Sequence, residues 1–103
     1  MKTVTVATDC IQALENWEHS VKENKHDYKI LRIGQKWKGW SWRSMLLSDY
    51  FSGLKSDTLI CITDAYDALI LDTPDKFIDL YNKTGSELII GVEHISDESE
   101  NYI

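Results

Sequence analysis

Thr58-Leu59-Ile60-Cys61-Ile62-Thr63-Asp64-Ala65-Tyr66-Asp67 is the stretch on which the fold turns. It opens as a near-continuous apolar, β-branched run and stops at two carboxylates set three apart. A run of that kind suits a parallel strand covered on both faces. Carboxylates just beyond it stand at the strand's carboxyl end, where open α/β sheets take their ligands. Three further strands are expected. Thr3–Thr8 sets Val4 and Val6 against Thr3 and Thr5. Tyr28–Ile33 sets Tyr28, Ile30 and Arg32 against Lys29, Leu31 and Ile33. Such alternation suits half-exposed strands. Glu87–Val92 is a second apolar run.

Helical patterns separate these strands. Ile11, Leu14, Trp17 and Val21 form one apolar stripe on a helix of about Ile11 to Lys22, with Asp9 as its cap. A second helix is expected from about Trp42 to Leu54, with Met45, Leu46, Tyr50, Phe51 and Leu54 inward. Gly53 weakens its end, and Ser56-Asp57 turn the chain into the third strand. The third helix begins with Thr73 as N-cap, Pro74 at its first position and Asp75 at its positive end. Phe77, Leu80 and Tyr81 face inward, and Asn82 to Gly85 end it.

Strands alternating with helices imply a mostly parallel sheet with helices on both faces: a three-layer, Rossmann-like α/β fold of about four strands and three helices. Right-handed crossovers order the strands second, first, third, fourth. The connections then leave the first strand in opposite directions. That opens a crevice between the carboxyl ends of the first and third strands.

The chain has 103 residues, enough for one small domain. Seventeen acids against eleven bases give a net charge of −6, which argues against general binding to nucleic acid or anionic membrane. Asp97, Glu98 and Glu100 carry half of that excess. Residues 1–95 are therefore read as the domain and 96–103 as an acidic mobile tail. No stretch approaches the length of a membrane span. The start has no apolar segment of leader length, so a cytoplasmic, reduced setting is expected. Cys10 and Cys61 have neither disulfide-framework nor zinc spacing and read as small buried hydrophobes.

Asp64 and Asp67 are the candidate metal ligands. A helical-type turn puts positions three apart on one side, and hard oxygens suit Mg²⁺ or Mn²⁺ with phosphate or water completing the shell. The competing reading makes both acids turn formers. Opposite them the first strand ends in Val6-Ala7-Thr8, small enough for a ligand to approach the backbone. The loop from Gly34 to Arg43 holds Trp37, Trp40 and Trp42, and residues 22–43 carry a local charge of +5. Aromatics among bases can stack a nucleobase and neutralise phosphate, or the tryptophans can be packing residues. His19 falls on a polar helix face and His26 in a charged loop. His94 ends the last strand. None pairs with a nucleophile. No Gly-rich phosphate loop, GxSxG or HExxH occurs.

Thr5-Val6-Ala7-Thr8, then Leu31-Arg32-Ile33-Gly34 with Trp37-Lys38-Gly39, then Thr63-Asp64-Ala65-Tyr66-Asp67-Ala68, and finally Gly91-Val92-Glu93 follow one another in an order that resembles a known family. It is that of the glycosyltransferase domain of the procollagen lysyl hydroxylases and collagen glycosyltransferases. The resemblance covers about residues 3–94. It implies a GT-A fold, a UDP-sugar donor and Mn²⁺ (or Mg²⁺). Val6, Ala7 and Thr8 would line the uridine pocket. Asp64 and Asp67 would hold the metal that bridges the diphosphate. Ala65 and Tyr66 would stand at the nucleotide, with Tyr66 on or beside the uracil. Trp37 and Trp42 would sit near the donor, and Arg43 would replace a lysine of the family. That family's domain is more than twice as long, and its third metal ligand is a histidine from the later part. Nothing after Glu93 resembles that part, so the chain looks like the nucleotide-binding half of a GT-A domain. The family enters the secretory pathway, whereas no leader is read here.

Three functions are consistent with these residues. The first is metal-dependent transfer of a sugar from a UDP donor to a hydroxyl acceptor. The second is a catalytically inactive nucleotide-binding module. The third is a partner-binding or nucleic-acid-binding protein using the basic tryptophan loop. A half-sheet leaves an edge uncovered, which predicts a homodimer or a complementary second half.

Overall fold

The structure is a computed structural model that describes residues 1–90. Its elements run β1 (Lys2–Val6), α1 (Gln12–Glu23), β2 (Asp27–Leu31), α2 (Trp40–Ser52), β3 (Ile60–Ile62) and α3 (Pro74–Thr84). The strands form one parallel sheet in the order β2-β1-β3. Strand β1 pairs Lys2 with Asp27 and Val6 with Leu31 on one side, and Lys2 with Ile60 and Val4 with Ile62 on the other. This is the expected α/β architecture, with the first strand at its centre.

Each face of the sheet buries its own core. On one face Leu14, Trp17 and Val21 of α1 pack with Ala7, Ala65 and Ile70, against Tyr28, Ile30 and Phe77. On the other, Leu46 and Leu47 of α2 pack with Val4 and Val6, against Leu31, Trp42, Tyr50, Phe51 and Ile60. The stripe read in α1 is therefore the buried one. In α2 Leu47 goes inward while Met45 is exposed, because Trp42, Leu46 and Tyr50 at i, i+4 spacing turn Met45 onto the opposite flank.

Central position changes how β1 must be read. Its alternation of Val and Thr suggested a half-exposed strand, yet Thr3 and Thr5 have no exposed surface. Their hydroxyls are satisfied inside. Thr3 Oγ1 lies 2.8 Å from His26 Nδ1, and Thr5 Oγ1 donates to the Thr63 carbonyl at 2.7 Å. A hydroxyl with a partner costs little to bury. His26 is therefore not a loop residue in solvent. Its ring is buried, and Nε2 lies 2.7 Å from the Asp72 carbonyl, so Nε2 carries the proton and Nδ1 is left facing Thr3. His19 does face solvent and pairs with Glu23 one turn on, at 2.8 Å.

Edge position explains β3. Strand pairing covers only Ile60–Ile62, and Ile62 is 46% exposed, because nothing lies beyond β3 among the described residues. The expected fourth strand does not form over its described part. Leu88, Ile89 and Ile90 are exposed and unpaired, since an apolar run becomes a strand only beside a partner ladder. Gly91 and Val92, His94 and the tail at 96–103 lie outside the described residues.

Smaller differences have local causes. Arg32 takes φ +70°, which ends β2 two residues before Ile33. The N-cap of α1 is Ile11, without a side-chain cap bond, and Asp9 does not cap the helix. Thr73 does precede Pro74 at the start of α3, but its carbonyl, not its hydroxyl, meets the first helical N–H groups. Gly85 ends α3 at φ +68°, a conformation that a side chain would strain. Leu80 is exposed, while Phe77 and Tyr81 are half-buried. Cys10 is exposed and Cys61 half-buried, so neither is the buried hydrophobe expected: Cys10 lies in the open β1–α1 connection and Cys61 on an edge strand. Among the described residues no helix is long and apolar enough to cross a membrane.

Candidate functional site

The carboxyl ends of β1 and β3 flank a cleft of about 490 Å³ lined by Val6, Thr8, Asp9, Trp37, Trp40, Arg43 and Asp64 to Asp67. It lies at the switch point that the strand order implies.

Thr63 is the foundation of its acidic wall. Its N–H donates to the Val4 carbonyl (3.1 Å), its carbonyl accepts from Thr5 Oγ1 (2.7 Å), and its hydroxyl accepts from Trp17 Nε1 (2.8 Å). Every polar group of the residue before Asp64 is thus tied to β1 or α1. The chain then leaves the sheet, buries Ala65 in the α1-side core, and turns Asp64 and Asp67 toward the cleft. The far end of this segment is also held. Ser20 Oγ accepts from the Ile70 N–H at 3.0 Å, and Asn24 Nδ2 donates to the Ile70 carbonyl at 2.9 Å. Irregular backbone around two exposed carboxylates is in this way fixed at both ends.

Tyr66 stands over the mouth. Its hydroxyl accepts from the Asp9 N–H at 2.9 Å and donates to the Asp9 carbonyl at 3.2 Å. The phenol is thereby locked across the gap between β1 and β3.

The opposite wall is aromatic and cationic. Trp37 meets Trp40 edge-on at 5.2 Å and Trp42 at 5.7 Å. Trp42 is half-buried against the α2-side core and does not line the cleft. It serves as a buttress for Trp37. Trp40 is 72% exposed, and the Arg43 guanidinium lies 5.9 Å from its ring centre. Gly39, at φ +99°, lets the loop swing into α2 immediately before Trp40.

Of the residues singled out from sequence, Val6, Thr8, Trp37, Arg43, Asp64, Ala65, Tyr66 and Asp67 meet at this cleft. Ala7 does not, being buried beneath it in the α1-side core. Trp40 and Asp9 line it without having been assigned there. Their signals were present: Trp40 is the middle tryptophan of the loop, and Asp9 directly follows the first strand.

Two carboxylates suit a hard divalent ion that leaves its other positions to water or phosphate. Among the described residues no group of three or more His, Cys, Asp or Glu is arranged to hold a metal. Asp64 and Asp67 therefore stand in the cleft as a pair, without a third such side chain arranged beside them among the described residues.

The model of the PLOD GT domain family matches residues 1–100. Procollagen-lysine,2-oxoglutarate 5-dioxygenase of Drosophila melanogaster is 24% identical over 102 residues, covering 90% of this chain and 14% of that protein. The chain thus spans about a seventh of the relative it matches.

Proposed function

We propose, from the premise that this chain belongs to the PLOD glycosyltransferase-domain family, that its cleft binds the UDP part of a nucleotide-sugar donor together with Mn²⁺ or Mg²⁺. The sugar would pass to a hydroxyl acceptor. The observation that carries the reading is one cleft with a carboxylate pair on one wall and aromatic rings with a guanidinium on the other.

Each part has a task in that reading. The rings of Tyr66 and Trp37 offer flat apolar surface to a uracil base. Val6 and Thr8 present the end of β1, where a ribose can approach the backbone. Asp64 and Asp67 hold the ion, and Arg43, kept in place by Trp40, meets the diphosphate as a second cation. A bound divalent ion would supply positive charge to the departing diphosphate. The wall of Asp64 and Asp67 would repel a bare diphosphate, so donor binding should require the metal.

The cleft favours this reading over single-stranded nucleic acid as the ligand. Trp37 and Trp40 share their cavity with two carboxylates, which would oppose a phosphate backbone without a cation between them. Calorimetry with UDP in the presence and absence of Mn²⁺ tests the proposal. Heat is expected only with both, and none with Asp64→Ala/Asp67→Ala. Equal heat without metal, or in the double variant, overturns it. Release of UDP from UDP-glucose or UDP-galactose distinguishes an active transferase from a module that only binds.

A further inference from the structure

The far edge of the sheet suggests a second binding surface, independent of the donor cleft. Strand β2 pairs with β1 on one side only. The Leu31 carbonyl accepts from the Ala7 N–H at 3.1 Å, so the backbone groups of residues 27, 29 and 31 face β1. By the alternation of a strand, those of Tyr28 and Ile30 face outward with no ladder partner among the described residues. Beside this edge, between the end of β2 and helix α2, lies a cleft of about 310 Å³ lined by Leu31, Arg32, Leu46, Asp49 and Tyr50.

Two features set this edge apart from an ordinary strand end. The first is charge. Lys25, Lys29 and Arg32 are exposed along it, and Asp27 is already engaged by Lys2 at 2.7 Å. The second is backbone. Arg32 holds φ +70°, a conformation that L side chains seldom adopt, and in it the side chain borders the cleft. A lysine on an edge strand also guards against aggregation, but that role needs neither an apolar-lined cleft nor a strained arginine at its lip.

We propose that the β2 edge receives an extended acidic segment of another protein as an added strand. Backbone groups of Tyr28 and Ile30 would pair with it, Lys29 and Arg32 would meet its carboxylates, and one apolar side chain would enter the cleft against Leu31, Leu46 and Tyr50. A second copy of this chain is a poorer occupant. Edge-to-edge pairing would bring Lys25, Lys29 and Arg32 of one copy against the same bases of the other.

The probe is a fluorescent, acetylated peptide of about ten residues in which Glu alternates with Thr and one Glu is replaced by Leu. Binding to the full chain is read by anisotropy and by backbone amide shifts. Shifts are expected at Tyr28, Ile30 and the cleft residues, with affinity falling as salt rises. Lys29→Glu and Arg32→Glu should each weaken binding about tenfold, since each exchanges an attraction for a repulsion. Asp49→Asn should strengthen it. Both charge reversals lie on exposed residues, so retained circular dichroism separates lost binding from lost folding. Several results overturn the proposal: equal binding of the Lys-for-Glu peptide, shifts confined to the Trp37–Trp42 loop, no binding at millimolar peptide, or self-association of the free chain through the same amides. None of these depends on UDP or on a metal.

Discussion

Tyr66 and Asp9 join the two halves of the sheet above its carboxyl edge: the Tyr66 hydroxyl accepts from the Asp9 N–H at 2.9 Å and donates to its carbonyl at 3.2 Å. They are 57 residues apart in the chain. One follows the central strand and the other the edge strand that carries the carboxylates. The contact therefore sets the width of the cleft mouth, and it does so through backbone atoms, so the identity of Asp9 matters less to it than the phenol does.

Tyr66→Phe should keep the ring and lose both hydrogen bonds. A cost of about 1 kcal/mol in stability is expected for partly exposed bonds, read from the urea midpoint at constant m-value. UDP affinity in the presence of Mn²⁺ should fall as the ring loses its fixed position. An unchanged midpoint and unchanged affinity would mean that the phenol does not hold the mouth.

Thr63→Val removes the acceptor for Trp17 Nε1 while keeping the shape of the side chain. The indole N–H is then left unpaired in the α1-side core, which should cost about 1–3 kcal/mol. Because Asp64 is the next residue, metal-dependent binding should weaken as well. The tryptophan emission spectrum offers a direct check, since Trp17 has no exposed surface.

His26→Leu fills a similar volume but leaves the Asp72 carbonyl and the Thr3 hydroxyl without their partner. A loss of about 1–3 kcal/mol is expected, with partial recovery in His26→Gln, whose amide offers both a donor and an acceptor. If His26→Leu is as stable as the parent in urea titration, the histidine is a packing residue and its hydrogen bonds are incidental.

The folded chain should lose stability in alkali. Burial raises the Cys61 thiol above its usual value of 9.0. Burial first, then the Glu18 hydrogen bond, raises Tyr28 above 10.0. The hydrogen bond that Lys2 donates to Asp27 raises Lys2 above 10.5, against a smaller opposing effect of burial. In each case the folded state holds its proton more tightly than the unfolded state does. The contribution is thus complete below the unfolded value and lost as pH rises through the folded one. The decline should begin near pH 9 with Cys61, and Cys61→Ala should remove its first part. A stability profile that is flat from pH 8 to about 11 would contradict this assignment.

Thiol modification should separate the two cysteines. Cys10 is exposed and should react first with a small alkylating reagent. Cys61 is half-buried, with its thiolate disfavoured, and should lag by an order of magnitude or more at neutral pH. Equal rates, followed by mass spectrometry, would place Cys61 in solvent.

The course of the chain was legible because its signals are local. Apolar spacing in Leu14, Trp17 and Val21 marks α1, Thr73-Pro74 marks the start of α3, and the apolar run at Ile60–Ile62 stopping at Asp64 marks β3. Alternation of strands and helices then leaves few topologies, and the cleft follows from strand order. The family is legible for the same reason, since its motifs are short runs of consecutive residues.

What escaped the sequence depends on neighbours that are distant in it. Thr3 and Thr5 read as polar, and hence half-exposed, until His26 and the Thr63 carbonyl supply their hydrogen bonds in the core. His26 looked like a solvent residue because its partners, Thr3 and Asp72, lie 23 and 46 positions away. Trp40, given no place from sequence, lines the cleft while Trp42 packs on the core, because only α2 packing decides which ring faces which way. The run from Leu88 to Ile90 has strand composition but no strand partner among the described residues. Sequence alone therefore determined the three helices, the three paired strands and the crevice at the carboxyl ends of β1 and β3, because periodicity and strand order are properties of the chain itself. Tertiary structure decided which polar groups are buried and which aromatic rings line the cleft. Burial and hydrogen-bond pairing are properties of contacts, and those contacts exist only once the sheet has closed.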